Sequence, residues 1–415
     1  MTILINNIRE LFQVFEGSSA VRGKAMADSP SLKNAYLFIR DGLIERFGSA
    51  EEAPEHADLV IDAKNRLVLP AFLDSHTHIV FPAYREDEFV MKIQGMTYQD
   101  IARAGGGILN SARKLNRCSE DELLQLATER VLEVIEHGTG ALEIKSGYGL
   151  SVDDELKMLR VARRLGDVCQ IPVRTTFLGA HAVPAGITKD DYVRMVTHEM
   201  IPAVASEKLA DYIDVFCEDG FFSMDQSIEI LEAGQRVGMK ARVHANQLSN
   251  SGGVQAAVKT NALSADHLEQ IGEEEIKILA GSQIMPTALP GAANFLGLSM
   301  PPARKMIESG LPISLASDYN PGSSPSGNLM LMWSLACIRM KMTPEEGLHA
   351  LTINPAVSLE WQSELGTIWP GKRASFIITR PTERLAFLPY HYGMNAVDMV
   401  LLGGEIRYNR NGKNR

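Results

Sequence analysis

Residues 67–80 read Leu-Val-Leu-Pro-Ala-Phe-Leu-Asp-Ser-His-Thr-His-Ile-Val, an apolar run that ends in the pair His76 and His78. Alternate side chains of an extended strand point the same way, so both imidazoles can reach one cation from the same side. Two exposed polar histidines at a strand end would give the same short pattern. If further ligand groups follow downstream, the stretch predicts a metal at the carboxyl end of a barrel strand.

Three more ligand-type side chains end short apolar runs later in the chain. His244 ends Met-Lys-Ala-Arg-Val-His, His267 ends Ala-Leu-Ser-Ala-Asp-His, and Asp318 ends Leu-Pro-Ile-Ser-Leu-Ala-Ser-Asp. A lone His or Asp in such a place commonly caps a strand or anchors a loop, whereas the joint recurrence is hard to obtain by chance. Because the carboxyl ends of barrel strands share one face, we expect these groups to converge.

Eight apolar runs separated by amphipathic helical patterns predict a (β/α)8 TIM barrel, an α/β fold. The runs end near Asp74, Lys145, Leu178, Phe216, His244, His267, Thr287 and Asp318, with helices expected at 120–136, 153–164, 191–203 and 225–237. Short β-like runs cover 2–5, 35–39, 43–47 and 59–62, and again 366–368, 374–379, 399–402 and 403–407. We therefore expect a small β-sandwich domain built from residues 1–65 and 365–415, with the barrel at 66–364.

Length and composition fit an ordinary enzyme, and we expect it in the cytoplasm. A net charge of −10 disfavours nucleic-acid binding, because no basic excess is present to neutralise phosphates. The start of the chain lacks the order of a signal peptide, and no apolar run approaches the roughly 18 to 20 residues that span a bilayer. We expect reduced thiols and no thiolate metal site, because no CxxC spacing occurs among Cys118, Cys169, Cys217 and Cys337.

The pattern of ligand-type residues resembles the metal-dependent amidohydrolase superfamily. Counted along the eight barrel runs, His-x-His ends the first, single histidines end the fifth and sixth, and an aspartate ends the eighth. The resemblance covers essentially the whole chain. Longer motifs are similar to the members that open the cyclic amide of 4-imidazolone-5-propanoate to N-formimidoyl-L-glutamate in histidine degradation. These motifs are EIKSGYGL at 143–150, TFLGAHAVP at 176–184, VHANQLS at 243–249, SDYNPGS at 317–323 and LPYHYG at 388–393.

That resemblance implies a homodimer that acts on this small molecule. Two alternatives stay open. One is another activity of the superfamily, such as release of ammonia from a heterocycle by an aminohydrolase. The other is a non-catalytic barrel homologue, although such proteins typically lose the metal ligands that this chain keeps.

Within the superfamily, the residues favour one divalent metal per chain. Binuclear members bridge two cations with a carboxylated lysine at the end of strand 4, where this chain has Phe-Cys-Glu-Asp at 216–219. His76, His78, His244 and Asp318 then form a set of three nitrogens and one oxygen that suits Zn²⁺ or Fe²⁺ and leaves a position for water. A cation of this kind lowers the pKa of water toward neutrality.

Three residues are expected to act on the reacting atoms. We expect a protonated His267 to stabilise the developing oxyanion, and Asp318 to move a proton from water to the departing nitrogen. Gln247 stands where relatives often carry a glutamate, and an amide is no base at neutral pH, so it should orient water or substrate. Asn246 replaces an aspartate of the family pattern. Lys145 is either an ion-pair residue behind the metal or a solvated surface lysine.

The resemblance assigns the remaining polar groups to substrate binding. Arg85 would grip the propanoate with a bidentate fork, whereas the sequence alone favours a surface arginine paired with Glu86 or Glu88. The glycine run 105–107 lacks the strand and the Lys-Ser/Thr of a phosphate loop, so we expect a flexible active-site loop. The expected substrate-binding residues are Arg85, Tyr148, His181, Gln247, Asn320, Gly322 and Ser323.

Overall fold

The computed structural model describes residues 1–96 and 106–412. Its strands are β1 Thr2–Phe12, β2 Ser31–Arg40, β3 Leu43–Ser49, β4 Leu59–Pro70, β5 Phe72–Thr77, β6 Thr139–Lys145, β7 Val173–Ala180, β8 Tyr212–Cys217, β9 Lys240–Ala241, β10 Val243–Ala245, β11 Ser264–His267, β12 Met285–Ala288, β13 Ser314–Leu315, β14 Phe376–Thr379, β15 Val397–Leu402 and β16 Glu405–Asn409. Its α-helices are Glu86–Ile93, Ile108–Arg117, Glu120–Glu136, Val152–Cys169, Lys189–Met195, Ile201–Ser206, Met224–Arg236, Gly253–Lys259, Glu273–Ala280, Pro290–Leu296, Ala303–Glu308, Leu329–Met340, Pro344–Leu351, Ile353–Ser358 and Phe387–Tyr390.

The predicted barrel is confirmed. Its parallel strands follow the order β5-β6-β7-β8-β10-β11-β12-β13, with β9 paired to β8. The ring closes just beyond the last strand, where a parallel bridge joins Thr77 to Tyr319 and the amide of Asp318 donates to the carbonyl of His76 at 3.0 Å. Barrel closure therefore fixes the backbone positions of two candidate metal ligands relative to each other.

The predicted barrel elements lie where the observed ones do, but two helices differ. The helix expected at 153–164 extends to Cys169, and the one expected at 191–203 is divided into Lys189–Met195 and Ile201–Ser206 by a π-helical turn.

The helix predicted at 120–136 has those bounds, and it begins after Ser119, whose Oγ accepts from the amide of Glu122 at 3.2 Å. Strand β13 ends at Leu315, before Asp318. Asp318 follows the strand with a φ of 52°, in the left-handed region that non-glycine residues seldom adopt.

The two chain ends meet in one seven-stranded sheet, in the order β16-β15-β14-β4-β1-β2-β3. Strand β4 joins the two ends, because it pairs in parallel with β1 and antiparallel with β14. This sheet has its own buried apolar cluster, which includes Ile5, Leu37 and Phe376. The β domain from both termini is thus present. The boundaries at 65 and 365 remain predictions, and β4 runs through the first of them.

The strand predicted at 366–368 is wrong. Gly366 has a φ of 90° there, which belongs to a turn that glycine tolerates and a strand does not. The amide of Ile368 donates to the carbonyl of Gln13, so the segment is still attached to the first strand region. The side chain of Ile368 packs in the apolar cluster of the terminal sheet. This buried apolar residue explains why the sequence pattern resembled that of a strand.

Other expectations concern the thiols, membrane helices and the glycine run. All four cysteines are free, as predicted. Among the described helices, none is long and apolar enough to cross a membrane.

Gly105 of the glycine run lies outside the described residues, whereas Gly107 directly precedes the helix Ile108–Arg117. The amide of Gly107 donates to Oε1 of Glu88 at 2.9 Å.

Candidate active site

The four candidate metal ligands converge at the carboxyl end of the barrel. Nε2 of His76 and Nε2 of His78 each lie 3.5 Å from Oδ1 of Asp318, and the rings of His76 and His244 are 4.4 Å apart between centroids. Within the described residues, two overlapping trios keep their ligand atoms within 4.8 Å: His76 with His78 and Asp318, and His76 with His244 and His267. The ligand roles themselves stay predictions.

Buried carboxylates orient two of these imidazoles from behind. Nδ1 of His76 lies 2.7 Å from Oδ2 of Asp266, and Nδ1 of His244 lies 2.9 Å from Oδ2 of Asp214. The first contact is a hydrogen bond, whereas the second is a close ion-pair distance without hydrogen-bond geometry. With the proton on Nδ1, facing its carboxylate, each Nε2 presents a lone pair to the centre. Burial lowers the pKa of both histidines, which keeps them in the neutral form that binds metals.

One buried nitrogen marks where a cation would sit. Nε2 of His76 has no hydrogen-bond partner among the described residues, and a buried polar atom without a partner is costly unless a ligand satisfies it. The neighbouring donors are imidazole nitrogens and one carboxylate oxygen, a combination that zinc and iron accept. The residues present therefore fit a divalent cation.

His267 lies beside the same cluster. Its ring centroid is 5.6 Å from that of His76 and 5.3 Å from that of His244. Burial alone would lower the pKa of His267, but the Glu269 carboxylate, whose Oε1 lies 3.5 Å from Nδ1, and then Asp318 raise it above its usual value. A protonated imidazole suits a donor role, whereas its position within ligand distance also suits a metal ligand.

The loop after β13 is built around the side chain of Asn320. Its Nδ2 donates to the carbonyl of Asp318 at 2.6 Å, and its Oδ1 accepts from the amides of Gly322 and Ser323, each at 2.8 Å. These bonds occupy both ends of the Asn320 amide, so its side chain shapes the loop.

Burial raises the pKa of Asp318 to about 7.

A cavity of 760 Å³ opens above the ligand cluster. Its size and mixed lining suit a small polar molecule. All the residues expected to bind substrate lie on its wall: Arg85, Tyr148, His181, Gln247, Asn320, Gly322 and Ser323. Sequence reasoning missed other lining residues, mainly apolar ones: Phe89, Lys92, Ile93, Ile108, Phe216, Phe221, Leu248 and Phe295.

Tyr148 and His181 form one side of the cavity. Nδ1 of His181 donates to the carbonyl of Gly147 at 3.0 Å, and its ring stacks on His78 with centroids 5.3 Å apart. Burial lowers the pKa of His181 to about 3, so the neutral ring offers Nε2 as an acceptor. Burial raises the pKa of Tyr148, and its hydroxyl therefore remains a donor.

Gln247 and Asn246 follow β10 but differ in what they face. Gln247 lines the cavity, as expected of a group that orients water or substrate. Asn246 lies outside the cavity wall formed by the described residues, and its Nδ2 donates to Oδ1 of Asn250 at 2.7 Å. Its φ of 53° is a left-handed conformation that asparagine tolerates better than most residues.

Arg85 makes the ion pair that one interpretation of the sequence predicted and lies in the cavity that the other predicted. Its Nε and Nη2 donate to Oε2 of Glu88 at 2.8 and 2.5 Å, as the ion-pair alternative required. The side chain is only 9% exposed and lines the cavity, so the alternative of a surface position is wrong. A Cβ on Gly322 would lie 2.3 Å from Nη1 of Arg85, which shows how closely the guanidinium approaches that glycine.

Lys92 is a second cation at this wall, and sequence reasoning missed it. Its Nζ donates to the carbonyl of Gly322 at 3.4 Å and lies 5.9 Å from the ring centroid of Phe295. Burial, followed by the nearby Arg85, lowers the pKa of Lys92. Of these two cations, Arg85 is paired with the carboxylate of Glu88, whereas Lys92 contacts the Gly322 carbonyl. The signal was available, because Lys92 follows Arg85 by two helical turns and so shares its helix face.

Lys145 is fully buried, and the alternative of a solvated surface lysine is wrong. Its Nζ donates to Oε1 of Glu143 at 2.7 Å and to Oδ2 of Asp214 at 2.8 Å. The sequence did not identify Asp214 or Asp266 as partners of the histidines. An aspartate inside an otherwise apolar strand was the signal, because a buried charge requires a partner.

Solved structures with the same fold cover nearly the whole chain. A triazine hydrolase variant aligns over 99% of this chain and 95% of its own, with a TM-score of 0.75 and 15% identity. The guanine deaminase of E. coli aligns over 99% of this chain and 100% of its own, with a TM-score of 0.73 and 13% identity. At these identities, the likeness concerns the fold alone.

Sequence relatives are much more similar. An imidazolonepropionase of Flavobacterium johnsoniae is 50% identical over 98% of this chain and 100% of its own length. Those of Christiangramia forsetii and Geobacillus kaustophilus are 47% and 38% identical, again over 98% of this chain. The profile of the amidohydrolase family matches residues 67–407. The chain therefore belongs to the amidohydrolase family and, within it, to the imidazolonepropionases.

Proposed function

We propose that this hydrolase opens the cyclic amide of 4-imidazolone-5-propanoate and releases N-formimidoyl-L-glutamate, a step of histidine degradation. The observation that carries the proposal is the arrangement of the cavity. Neutral imidazoles and Asp318 converge on its floor, while Arg85 and Lys92 lie on its wall. A floor that binds a cation and a wall that binds an anion suit a cyclic amide with a carboxylate tail.

The proposed cofactor is one divalent cation, zinc or iron, held by His76, His78, His244 and Asp318. Once bound there, such an ion lowers the pKa of a water molecule toward neutrality and polarises the amide carbonyl. The carboxylates behind His76 and His244 support this role, because partners of this kind fix the tautomer and orientation of metal-binding histidines.

The protein groups then supply the proton movements and the positioning. Asp318 accepts a proton as the water oxygen bonds to the amide carbon, and it returns that proton to the ring nitrogen as the carbon–nitrogen bond breaks. His267 donates a hydrogen bond to the carbonyl oxygen while negative charge develops there. Gln247 orients the water or the ring. One water proton thus reaches the ring nitrogen through Asp318, and the second passes from the new carboxylic acid to the basic amidine. The result is a carboxylate and a protonated amidine, which together contain the substrate and one water.

Substrate recognition is assigned to the opposite wall. Arg85 and Lys92 bind the propanoate as charged donors, and the hydroxyl of Tyr148 donates to the substrate. Nε2 of His181 accepts from a ring N–H, since its Nδ1 is held by the Gly147 carbonyl. On the resemblance, we further propose that the enzyme acts in the cytoplasm as a homodimer.

The test is a turnover assay on the full chain loaded with zinc or with iron. We expect 4-imidazolone-5-propanoate to disappear and N-formimidoyl-L-glutamate to form in equal amount, identified by mass spectrometry, without release of ammonia. A panel of amino-substituted heterocycles, including guanine, serves as the control. Ammonia from that panel with no cleavage of the imidazolone would favour the aminohydrolase alternative. A metal-loaded chain inactive on both would favour a non-catalytic role.

A further inference from the structure

A group of buried charges lies behind the candidate metal ligands and takes no part in the proposed chemistry. Lys145 is at its centre. Its Nζ lies 2.8 Å from Oδ2 of Asp214, 2.7 Å from Oε1 of Glu143 and 3.9 Å from Oδ2 of Asp266. All four side chains are fully buried. Burying charges of this kind is costly, and only good geometry compensates for it.

The carboxylates around Lys145 are those that orient the histidines. Oδ2 of Asp214, which accepts from Lys145, also lies 2.9 Å from Nδ1 of His244. Oδ1 of Asp214 accepts from the amide of His244 at 3.1 Å. Oδ2 of Asp266 lies 2.7 Å from Nδ1 of His76. The ammonium of Lys145 thus lies between the carboxylates of Asp214 and Asp266, which contact a histidine on β10 and one on β5.

We propose that Lys145 is a positioning residue for the metal centre. Its ammonium holds Asp214, and at longer range Asp266, in the orientations that direct Nε2 of His244 and of His76 toward the cavity. Lys145 has no direct contact with substrate in this arrangement. The inference rests on the proposed metal site and does not depend on which cyclic amide is hydrolysed.

Arg242 is the other buried cation nearby, but it is engaged differently. Its Nη2 lies 3.9 Å from Oδ2 of Asp266, and its Nε lies 3.9 Å from Oε1 of Glu143. Its hydrogen bonds go to backbone carbonyls instead, from Nη2 to Ser75 and from Nη1 to Ser358, both at 3.1 Å. Arg242 therefore balances charge, whereas Lys145 makes direct hydrogen bonds to the carboxylate behind His244.

The positioning role and a purely electrostatic role predict opposite results. If Lys145 acted only as a positive charge, its removal would tighten the binding of a divalent cation nearby, because a repulsion would be lost. If Lys145 positions the carboxylates, its removal lets Asp214 turn away and binding weakens. Loss of a group that orients metal-binding histidines typically lowers metal affinity about 10- to 100-fold.

The experiment compares zinc affinity of the full chain and two variants, Lys145→Met and Lys145→Gln, by competition with a chelator. Lys372→Met is the matched control, because Lys372 is also a buried lysine and its Nζ donates to the carbonyl of Gln362 and to Oγ1 of Thr367, each at 2.6 Å. Thermal unfolding of the metal-free proteins reports the general cost of losing a buried lysine. Visible absorption of the Co²⁺-loaded proteins reports the geometry of the ligands.

We expect Lys145→Met to bind zinc about 10- to 100-fold more weakly than the wild type and to alter the Co²⁺ spectrum. Lys145→Gln retains a donor and should lose less affinity, and it provides the measurement if the methionine variant does not fold. Lys372→Met should unfold at a lower temperature with wild-type zinc affinity and spectrum. Unchanged or tighter zinc binding in both Lys145 variants would overturn the inference. A wild type that binds no zinc, cobalt or iron would instead overturn the proposed metal site.

Discussion

The floor and the wall of the cavity are built in different ways. The floor carries His76 and His244 on barrel strands, with buried carboxylates behind them. The wall carries Arg85 and Lys92 on and beside one short helix, Glu86–Ile93, where contacts with Glu88 and Gly322 hold them. The floor is therefore held by barrel strands and the carboxylates behind them, whereas the wall depends on a side-chain contact within one helical segment and on a contact with the backbone of the loop at Gly322.

The largest effect is expected on the floor, from His78→Ala. Three remaining ligands would hold the cation weakly, so bound metal and turnover should be lost together. Metal content by mass spectrometry, measured beside turnover, checks this, and circular dichroism confirms that the barrel still folds. A His78→Ala protein with one metal per chain and full activity would show that the floor is not the metal site.

The variant His267→Asn tests whether His267 is a metal ligand of the floor or a hydrogen-bond donor above it. We expect the variant to keep its metal and to lose turnover by roughly 10²- to 10⁴-fold, the usual range for an acid or oxyanion group. The measurement is kcat at saturating substrate with metal content determined on the same sample. Loss of the metal would assign His267 to the ligands, together with His76 and His244.

The wall is tested with Arg85→Met and Lys92→Met at constant metal content. A charged hydrogen bond to a carboxylate contributes about 1.5 to 3 kcal/mol, so Arg85→Met should lower kcat/KM by roughly one to three orders of magnitude. Lys92→Met should lower kcat/KM by about tenfold, because its Nζ is held by a long contact, 3.4 Å from the Gly322 carbonyl. Arg85→Lys should recover only part of the loss, since it keeps the charge but not the fork.

A neutral analogue tests whether these cations contact the tail. The substrate with its carboxylate replaced by an amide should be a poor substrate for the wild type, and Arg85→Met should hardly distinguish the two compounds. If the wild type and Arg85→Met discriminate equally, Arg85 serves only its ion pair with Glu88. The wall would then depend on Lys92, Tyr148 and His181.

The smallest effect is expected for Gln247, which lies between floor and wall. Gln247→Ala should lower kcat by about two- to tenfold, because a neutral hydrogen bond contributes about 0.5 to 1.5 kcal/mol. Gln247→Glu should remain active, since a carboxylate of similar size can still accept hydrogen bonds there. A metal-loaded Gln247→Ala protein without detectable turnover would contradict the assignment of Gln247 as an orienting group.

The same contrast explains what the sequence could predict. The floor was predictable because each ligand ends an apolar run, and the geometry of parallel strands brings such ends together. The carboxylates of Asp214 and Asp266 were not identified, because the pairing of a buried charge depends on which strands become neighbours. The position of Lys145 was left open for the same reason.

The wall was harder to predict, because its residues act through contacts that no local pattern records. The pairing of Arg85 with Glu88 follows from helical spacing, but its burial against Gly322 depends on how two distant loops pack. Asn320 lines the cavity, and its role in substrate binding stays a prediction, but no local pattern showed that its amide also completes the loop. The segment 366–368 looked like a strand because it supplies an apolar side chain to the terminal sheet, although its backbone forms a turn.

X-ray absorption of the zinc-loaded full chain counts the ligands of the metal and so tests whether these four residues hold it. We expect one zinc per chain with nitrogen and oxygen neighbours at about 2.0 to 2.2 Å. Multiple scattering should correspond to three imidazoles, those of His76, His78 and His244, with Asp318 and water as the oxygen ligands. Four imidazoles, or a second metal at roughly 3.5 to 4 Å, would contradict it.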